Sequence, residues 1–209
     1  MTYKEPQRVS YPLDEAVHPW LKILLDAYYE TDLGVREGIA RETGKGKQLA
    51  CARGCAHCCR THEDIPVFPI ELVGMTWYAV EQVQGPVRAK LRQQLQQFPD
   101  VQGCPFLVED VCSIHALRPM ACRQFNVFNQ ACAPGEDAYH TRRQDVLTPI
   151  RSYKENALQI TVPFYGKVTK SEQKQLVQSG KLDRLARAMR DCQWQALADK
   201  MDQYDRRKG

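Results

Sequence analysis

Four of the chain's nine cysteines lie within the nine residues from Cys51 to Cys59, in the sequence CARGCAHCC. Eight of the nine fall between residues 51 and 132, so the thiols are concentrated in the middle of the chain. The odd total and the adjacent pair Cys58 and Cys59 argue against a disulfide framework. The start, MTYKEPQRVSYPLDE, has no apolar run of a secretory signal, so we expect a cytoplasmic protein with reduced thiols. Thiols this dense then predict a metal site.

The size and composition of the chain predict one domain that spans residues 1–209. With 43% hydrophobic and 26% charged residues, a chain of this length can bury a stable core without disulfide bonds or structural metals. We divide it into an N-terminal helical part (1–50), a cysteine-rich metal-binding core (51–132) and a C-terminal helical part (133–209). The 29 basic and 25 acidic residues are spread along the chain, which argues against a nucleic-acid partner. No segment approaches the ~18 consecutive apolar residues of a membrane span, so we expect no membrane partner.

Hydrophobic spacing predicts a mainly α fold, in which a single compact helical domain surrounds a central cysteine-rich region of loops and short helices. The first helix is predicted from Leu13 to Thr43, with Pro19 marking a start or a break. Its apolar face consists of Leu21, Leu24, Leu25 and Tyr28.

The same spacing predicts further helices on both sides of the cysteine-rich region. One begins at Pro69 and another follows Gly85 and Pro86. Two more are predicted over 136–160 and from Lys170 or Leu182 to Gln203. The predicted apolar faces are Ile70, Val73, Trp77 and Val80 in the first, and Val87, Leu91, Leu95 and Phe98 in the second. Cys192, in step with Leu185 and Met189, is predicted to be a core residue of the last helix.

The first cysteine run suits a metal in either of two conformations. If residues 51–59 were helical, the four thiols would share one face, since positions 0, 4, 7 and 8 lie within about 100° of each other. If they form a loop, Gly54 permits the turn that lets the thiols converge. Soft thiolates select zinc, copper(I) or iron–sulfur clusters over hard cations.

The second set of cysteines, Cys104, Cys112, Cys122 and Cys132, follows at spacings of 8, 10 and 10 residues. These spacings lack the paired knuckles of structural zinc and suit the distant ligands of an iron–sulfur cluster. The eight thiols could fill two four-ligand sites, one cluster and one zinc site, or one site with spare sulfurs. For Cys132, a ligand role and a buried apolar role carry equal weight.

Two arginines accompany this second set. Pro119 predicts a helix start that places Cys122 one turn in. Arg118 and Arg123 flank that turn and could donate hydrogen bonds to thiolate or sulfide, as residues that contact the cofactor's ligands. Ordinary ion pairs of these arginines with Glu109, Asp110 or Asp64 are the alternative.

The motifs CARGCAHCC, CPFL, CSIH and RPMACR together resemble those of the YkgJ-type cysteine-cluster family, described as zinc- or iron-chelating proteins. FPIEL at 68–72 is similar to the helix start of that family, and the resemblance covers roughly residues 51–125. It implies that the cysteines of these motifs bind metal or line the site: Cys51, Cys55, Cys58, Cys59, Cys104, Cys112 and Cys122. The chain also resembles the cluster portion of flagellin lysine methylases, a group associated with an iron–sulfur cluster. His115 replaces the family's usual tyrosine and could pack, hydrogen-bond or bind metal, and His57 is a further possible ligand.

Three functions follow from these residues and from the resemblance. The first is a cytosolic protein whose thiolates hold iron or an iron–sulfur cluster, of the 4Fe-4S type, for redox work or in support of a modification reaction. The second is a zinc-binding structural or interaction module, with a metal ion and a possible protein partner. The third is an enzyme similar to protein lysine methylases, although the sequence has no Gly-rich nucleotide loop after a strand. A nucleophilic cysteine paired with His57 or His62 is disfavoured, because metal-bound thiols are not available for that reaction.

Overall fold

A computed structural model describes residues 5–52, 54–98, 100, 102–166 and 168–208 of the chain. It confirms the mainly α prediction, since the described residues form ten α-helices and two small antiparallel ribbons. The helices are α1 (Pro12–Val17), α2 (Pro19–Gly44), α3 (His57–Thr61), α4 (Pro69–Trp77), α5 (Gly85–Gln97), α6 (Met120–Gln124), α7 (Ala138–Thr141), α8 (Arg151–Thr161), α9 (Lys170–Gln178) and α10 (Trp194–Lys208). The strands are β1 (Pro66–Val67), β2 (Leu107–Val108), β3 (Val111–Cys112) and β4 (Arg187–Ala188).

The N-terminal helical region agrees with the sequence prediction, including its interruption. His18 has a non-helical backbone between α1 and α2, and Pro19 stands in the first turn of α2. Proline fits there because its missing N–H would have no helical partner in the first turn. The predicted apolar face of α2 is buried, and α2 packs along α8. This pair forms the long side of the helical frame.

The two helices after the first cysteine run begin where predicted, but their buried faces differ in part. Ile70 and Trp77 of α4 are buried, whereas Val73 is 37% exposed because the buried face is centred on Glu71, Gly74 and Met75. Residues 78–82 form a π turn that continues α4.

On α5, three of the four predicted core residues are buried: Leu91, Leu95 and Phe98. Val87, close to the helix start, is 38% exposed. A short hairpin of β2 and β3 follows Phe106, with Leu107 opposite Cys112.

The predicted helices of the C-terminal part are wrong in extent. Residues 136–160 divide into α7, a 3-10 turn at 143–145, and α8, with Pro149 in the extended segment before α8. Residues 183–191 form 3-10 turns around β4, because Arg187 and Ala188 pair with Val67 and Pro66 of β1. Cys192 is therefore half-buried just before α10 and not on a helix face, although it packs against the core as predicted.

A buried polar network connects three helices beneath the cysteine-rich region. The Glu71 carboxylate on α4 accepts hydrogen bonds from the backbone N–H of Phe68 (2.9 Å) and of Met120 (2.7 Å), the first residue of α6. Arg123 of α6 is paired with Asp32 of α2 at 2.7 Å. The Arg123 guanidinium also lies 4.1 Å from the ring centre of Tyr28, another residue of α2. These contacts set the position of α6 against α2 and α4.

None of the helices in the described ranges combines the length and the hydropathy that crossing a bilayer would require.

Two glycines of α2 provide a matched test of helix packing. A Cβ at Gly34 would lie 2.5 Å from Tyr153 Cβ of α8, whereas a Cβ at Gly44 would meet nothing within 4 Å. We expect Gly34→Ala to lower the free energy of unfolding by about 1–3 kcal/mol, because the helices must move apart. Gly44→Ala should raise it by about 0.5–1 kcal/mol through the lower entropy of the unfolded chain. Urea unfolding measures both, and equal effects would contradict this packing.

Glu71 should impose a pH dependence on stability. Burial raises the pKa of this carboxyl from 4.5 to about 7, against the opposing effect of its two backbone donors. The folded state then binds a proton that the unfolded state has lost, so the contribution of Glu71 to stability falls as the pH rises from 4.5 to 7. We expect the difference in unfolding free energy between the chain and its Glu71→Gln variant to change by about 3 kcal/mol over this interval. Parallel pH profiles of the two proteins would disprove the assignment.

Candidate metal centre

The first cysteine run combines the two conformations considered from the sequence. Residues 51, 52 and 54–56 lie in a loop, in which Gly54 has φ +84° and the Cys55 N–H bonds to the carbonyl of Ala52 at 3.1 Å. The short helix α3 then carries Cys58 and Cys59. The loop is held against the residues after α6, since the Val127 N–H donates to Cys51 Sγ at 3.3 Å.

The CPFL segment meets the first run through the backbone. The Cys104 N–H donates to the carbonyl of Cys59 at 2.7 Å. Gly103 makes this contact possible, because a Cβ at that position would lie 2.8 Å from the same carbonyl oxygen. Gly103 also has φ +85°, a conformation that costs other residues free energy. The importance of Gly103 was missed in the sequence, where a glycine directly before a cysteine was the available signal.

The hairpin after Cys104 and the turn of α6 bring in the next two thiols. Glu109 and Asp110 form a two-residue turn with φ of +49° and +63°, the left-handed geometry that tight hairpins require. This turn returns the chain so that Cys112, on β3, faces the first run. Pro119 immediately precedes α6, as predicted, and Cys122 lies one turn in.

The eight central cysteines form two neighbouring groups joined by Cys58. The inner group is Cys59, Cys104, Cys112 and Cys122, and the outer group is Cys51, Cys55 and Cys132. Hydrogen bonding with Cys59 raises the pKa of Cys58, and hydrogen bonding with Cys104 raises the pKa of Cys59. In the outer group, burial and the charges of Cys55 and Cys58 raise the pKa of both Cys51 and Cys132.

A cavity of about 1560 Å³ lies between the two groups. It is lined by all the central cysteines except Cys132. Cys132 packs beside Cys51 and Phe125 on the wall of the outer group. All nine cysteines are free, as expected for a reduced protein. Within the described ranges, no group of three or more His, Cys, Asp or Glu side chains is placed so that it could hold a metal ion.

Raised pKa values favour the protonated form of six of the eight central thiols. Desolvation raises the pKa of Cys51 to about 11, and the hydrogen bond to Cys104 raises the pKa of Cys59 to about 12. The pKa of Cys58 is raised by its hydrogen bond to Cys59, and the pKa of Cys122 by burial. Neutral buried thiols are poor nucleophiles, and a bound cation is what would stabilise their thiolates.

Of the two arginines predicted from the sequence, Arg118 faces the cysteines and Arg123 does not. The charge of Arg118 acts on Cys58, Cys112 and Cys122, and the buried Arg118 Nε has no hydrogen-bond partner. Arg123 uses its donors on Asp32 and on two backbone carbonyls, so neither role predicted for it is observed. The difference arises because Arg123, one residue after Cys122 on α6, points towards α2.

The outer group has an arginine that sequence analysis missed. Arg142 Nη2 lies 3.7 Å from Cys132 Sγ, and its guanidinium is paired with Glu136 at 2.7 Å. Arg142 comes from the segment after α7, so only the fold brings it to Cys132.

The histidines near the centre differ in their contacts. His115 Nε2 lies 2.9 Å from Arg118 Nη1, and desolvation together with Arg118 lowers its pKa to about 4, so the neutral ring accepts this bond. His57 is half-buried on α3 and is not among the residues that line the cavity. His62 lines the cavity with Nε2 3.2 Å from Asp137 Oδ1, and desolvation lowers its pKa. In the sequence, His62 stands out only as a possible partner for a nucleophilic cysteine.

Residues far from the cysteine motifs complete the walls. Met189 is buried, with its Sδ 3.9 Å from Cys104 Sγ. The indole N–H of Trp194 donates a hydrogen bond to the Met189 carbonyl at 2.8 Å. Cys192 is not among the residues that line the cavity.

The comparisons with known proteins give one match. Residues 50–145 match the family model CxxCxxCC, with the description "Putative zinc- or iron-chelating domain". This range contains both cysteine groups and ends shortly after Arg142. No curated protein and no solved structure matches the chain. The resemblance stated from the motifs is thus confirmed over residues 50–145, where the chain is similar to the CxxCxxCC zinc- or iron-chelating domains.

Proposed function

We propose that the inner group binds an iron–sulfur cluster and that the chain is a redox protein, or supports a modification reaction through that cluster. The observation that carries the proposal is that Cys59, Cys104, Cys112 and Cys122, which come from three chain segments, all line one large cavity. Four thiolates are the usual ligand set of a [4Fe–4S] cluster, which supplies one-electron chemistry when bound.

The chemistry of the donor set fits such a cluster. The cavity volume of about 1560 Å³ exceeds what one ion needs. Four thiolates with a cluster carry net negative charge, and Arg118 is the nearby cation with a buried Nε that has no protein partner. The Ile114 N–H bonds to Cys112 and lowers the pKa of a thiol that burial raises. Donors of this kind offset thiolate charge and tune reduction potential.

A zinc-binding structural module is the second candidate, favoured by the outer group. Cys51, Cys55 and Cys132 lie beside the inner group with their own arginine and backbone donors. Zinc at these thiols would connect the loop that holds Cys51 and Cys55 to the segment around Cys132 without redox chemistry.

Methylase-like activity is proposed from the resemblance alone. Calorimetry that measures whether the chain binds a methyl donor would test it.

Metal and sulfide analysis tests the main proposal. Protein purified without oxygen should be brown, with broad visible absorption that bleaches on reduction, and should contain iron and acid-labile sulfide in equal amounts. We expect Cys122→Ser to lose most of the iron and sulfide, because it removes an inner thiolate. Cys192→Ser should keep both, because that sulfur is not at the cavity. Colourless protein with stoichiometric zinc and no sulfide would refute the cluster and favour the zinc module.

Gly103→Ala should damage the centre without removing any ligand. The added methyl group meets the Cys59 carbonyl and forces a residue with φ +85° into strain, which separates Cys104 from Cys59. We expect the purified variant to hold less than half of the metal of the unmodified chain. Gly46→Ala is the matched control, because Gly46 has φ +91° but open space around its Cα. Equal metal content in the two variants would show that the close backbone contact is unimportant.

A further inference from the structure

Two thiols of the inner group, Cys59 and Cys104, belong to residues that are joined through the main chain. The Cys104 N–H donates to the Cys59 carbonyl at 2.7 Å, and Gly103 fits against the same carbonyl. In antiparallel sheets, residues joined by such main-chain bonds have Cα atoms about 5.5 Å apart. Disulfides require a Cα separation of about 4.4–6.8 Å. The backbone therefore holds these two residues at a separation that suits a disulfide bond.

The side chains of the two residues also meet. The thiols of Cys59 and Cys104 are hydrogen-bonded to each other. Cys104 is 8% exposed and belongs to the same apolar core against which Cys59 packs. Both residues line the cavity, through which a small oxidant can reach them. Both thiols are free, so the structure shows the reduced form of the pair.

Other neighbours of these two sulfurs are less suited to a disulfide. Cys58 also hydrogen-bonds to Cys59, but both stand on α3, where successive side chains point about 100° apart. Diverging Cβ vectors cannot be bridged without backbone movement, so a bond between these two would have to break the helix. A further neighbour of Cys104 Sγ is Met189 Sδ at 3.9 Å, a thioether that forms no disulfide. Cys59 and Cys104 are therefore the favoured pair.

We propose that Cys59 and Cys104 are a redox-active dithiol, which closes to a disulfide when the metal-free chain meets a peroxide and reopens with a thiol reductant. The inference goes beyond the proposed function, because the covalent step needs no bound metal. The disulfide removes two of the four inner thiolates, so the oxidised chain cannot hold a cluster that needs four. The inner group is then a redox-sensitive switch.

The oxidation balances with hydrogen peroxide as the oxidant. One sulfur of the pair attacks the peroxide and breaks its O–O bond, which gives a sulfenic acid and one water molecule. The second thiol attacks the sulfenic sulfur, so that the S–S bond forms and the sulfenic oxygen leaves as a second water molecule. The pair loses two electrons and two protons, and the peroxide takes up both. Dithiothreitol returns them in two thiol–disulfide exchange steps and is itself oxidised to its cyclic disulfide.

The test exposes the full chain, reduced and stripped of metal, to hydrogen peroxide until its thiol count is constant. Prolonged exposure is needed because neutral buried thiols react slowly. The remaining thiols are then alkylated with N-ethylmaleimide in denaturant, and mass spectrometry counts them and identifies linked peptides. We expect the count to fall by two from the nine of the reduced chain, with one linked pair that joins Cys59 to Cys104. Dithiothreitol should restore all nine thiols.

Matched variants separate this pair from the general crowding of thiols. Cys104→Ser should lose thiols about ten-fold more slowly than the unmodified chain, because its partner sulfur is absent. Cys192→Ser should react at the unmodified rate, because Cys192 is not at the cavity. Gly103→Ala keeps every thiol but separates the two main chains, so it should also react about ten-fold more slowly, whereas Gly46→Ala should not. Cys104→Ser adds no atom to a packed contact and remains decisive if Gly103→Ala does not fold.

Four outcomes would overturn the inference: an unchanged thiol count, links that do not join Cys59 to Cys104, equal rates in Cys104→Ser and Cys192→Ser, or oxygen gained on Met189 with every thiol intact. Reconstitution with iron and sulfide should succeed only with the reduced chain, and equal uptake by the oxidised chain would overturn the switch.

These outcomes are separate from those of the proposed function, which iron and sulfide analysis of the reduced chain decides. A chain that holds no iron or sulfide but forms the link between Cys59 and Cys104 would refute the cluster and support the redox-active dithiol. A chain with an intact cluster whose metal-free form gives no such link would do the reverse.

Discussion

The backbone contact between Cys59 and Cys104 is the constraint on which the metal centre depends. It joins two segments separated by the whole α4–α5 pair, and its 2.7 Å hydrogen bond leaves no room for a side chain at Gly103. Because both partners are main-chain atoms, the distance between the two cysteines is set by the helical frame and not by flexible side chains. The hairpin that carries Cys112 starts at Leu107, shortly after Cys104 in the chain.

The helical frame in turn depends on a few buried polar groups. Glu71 receives the first N–H of α6 and thereby fixes the helix that carries Cys122. Arg123 connects the same helix to α2 through Asp32. Burying such groups is costly unless they are hydrogen-bonded or paired, and the observed arrangement of the three helices satisfies them. This favours a frame in which α6 has a single position.

Much of the fold was predictable from local signals. The helix starts at Pro19 and Pro69 and the apolar face of α2 follow from proline geometry and from the spacing of leucines, which act within one or two turns. The predictions failed where distant contacts overrode local periodicity. Residues 182–203 read as one helix, but pairing of β4 with β1 interrupts it, and Val73 of α4 turns away from the core.

The sequence by itself determined that the chain is mainly helical and that a dense set of thiols, in the motifs of a zinc- or iron-chelating family, lies at its centre. These properties depend on residue type and short spacings. Only the tertiary structure decided which thiols are neighbours, that Arg118 faces them while Arg123 turns to α2, and that Arg142, Asp137 and Met189 reach the centre. The contacts of Asp137, Met189 and Asp32 join residues 75 to 91 positions apart, and the packing of buried helices, not local sequence, sets the distances between them.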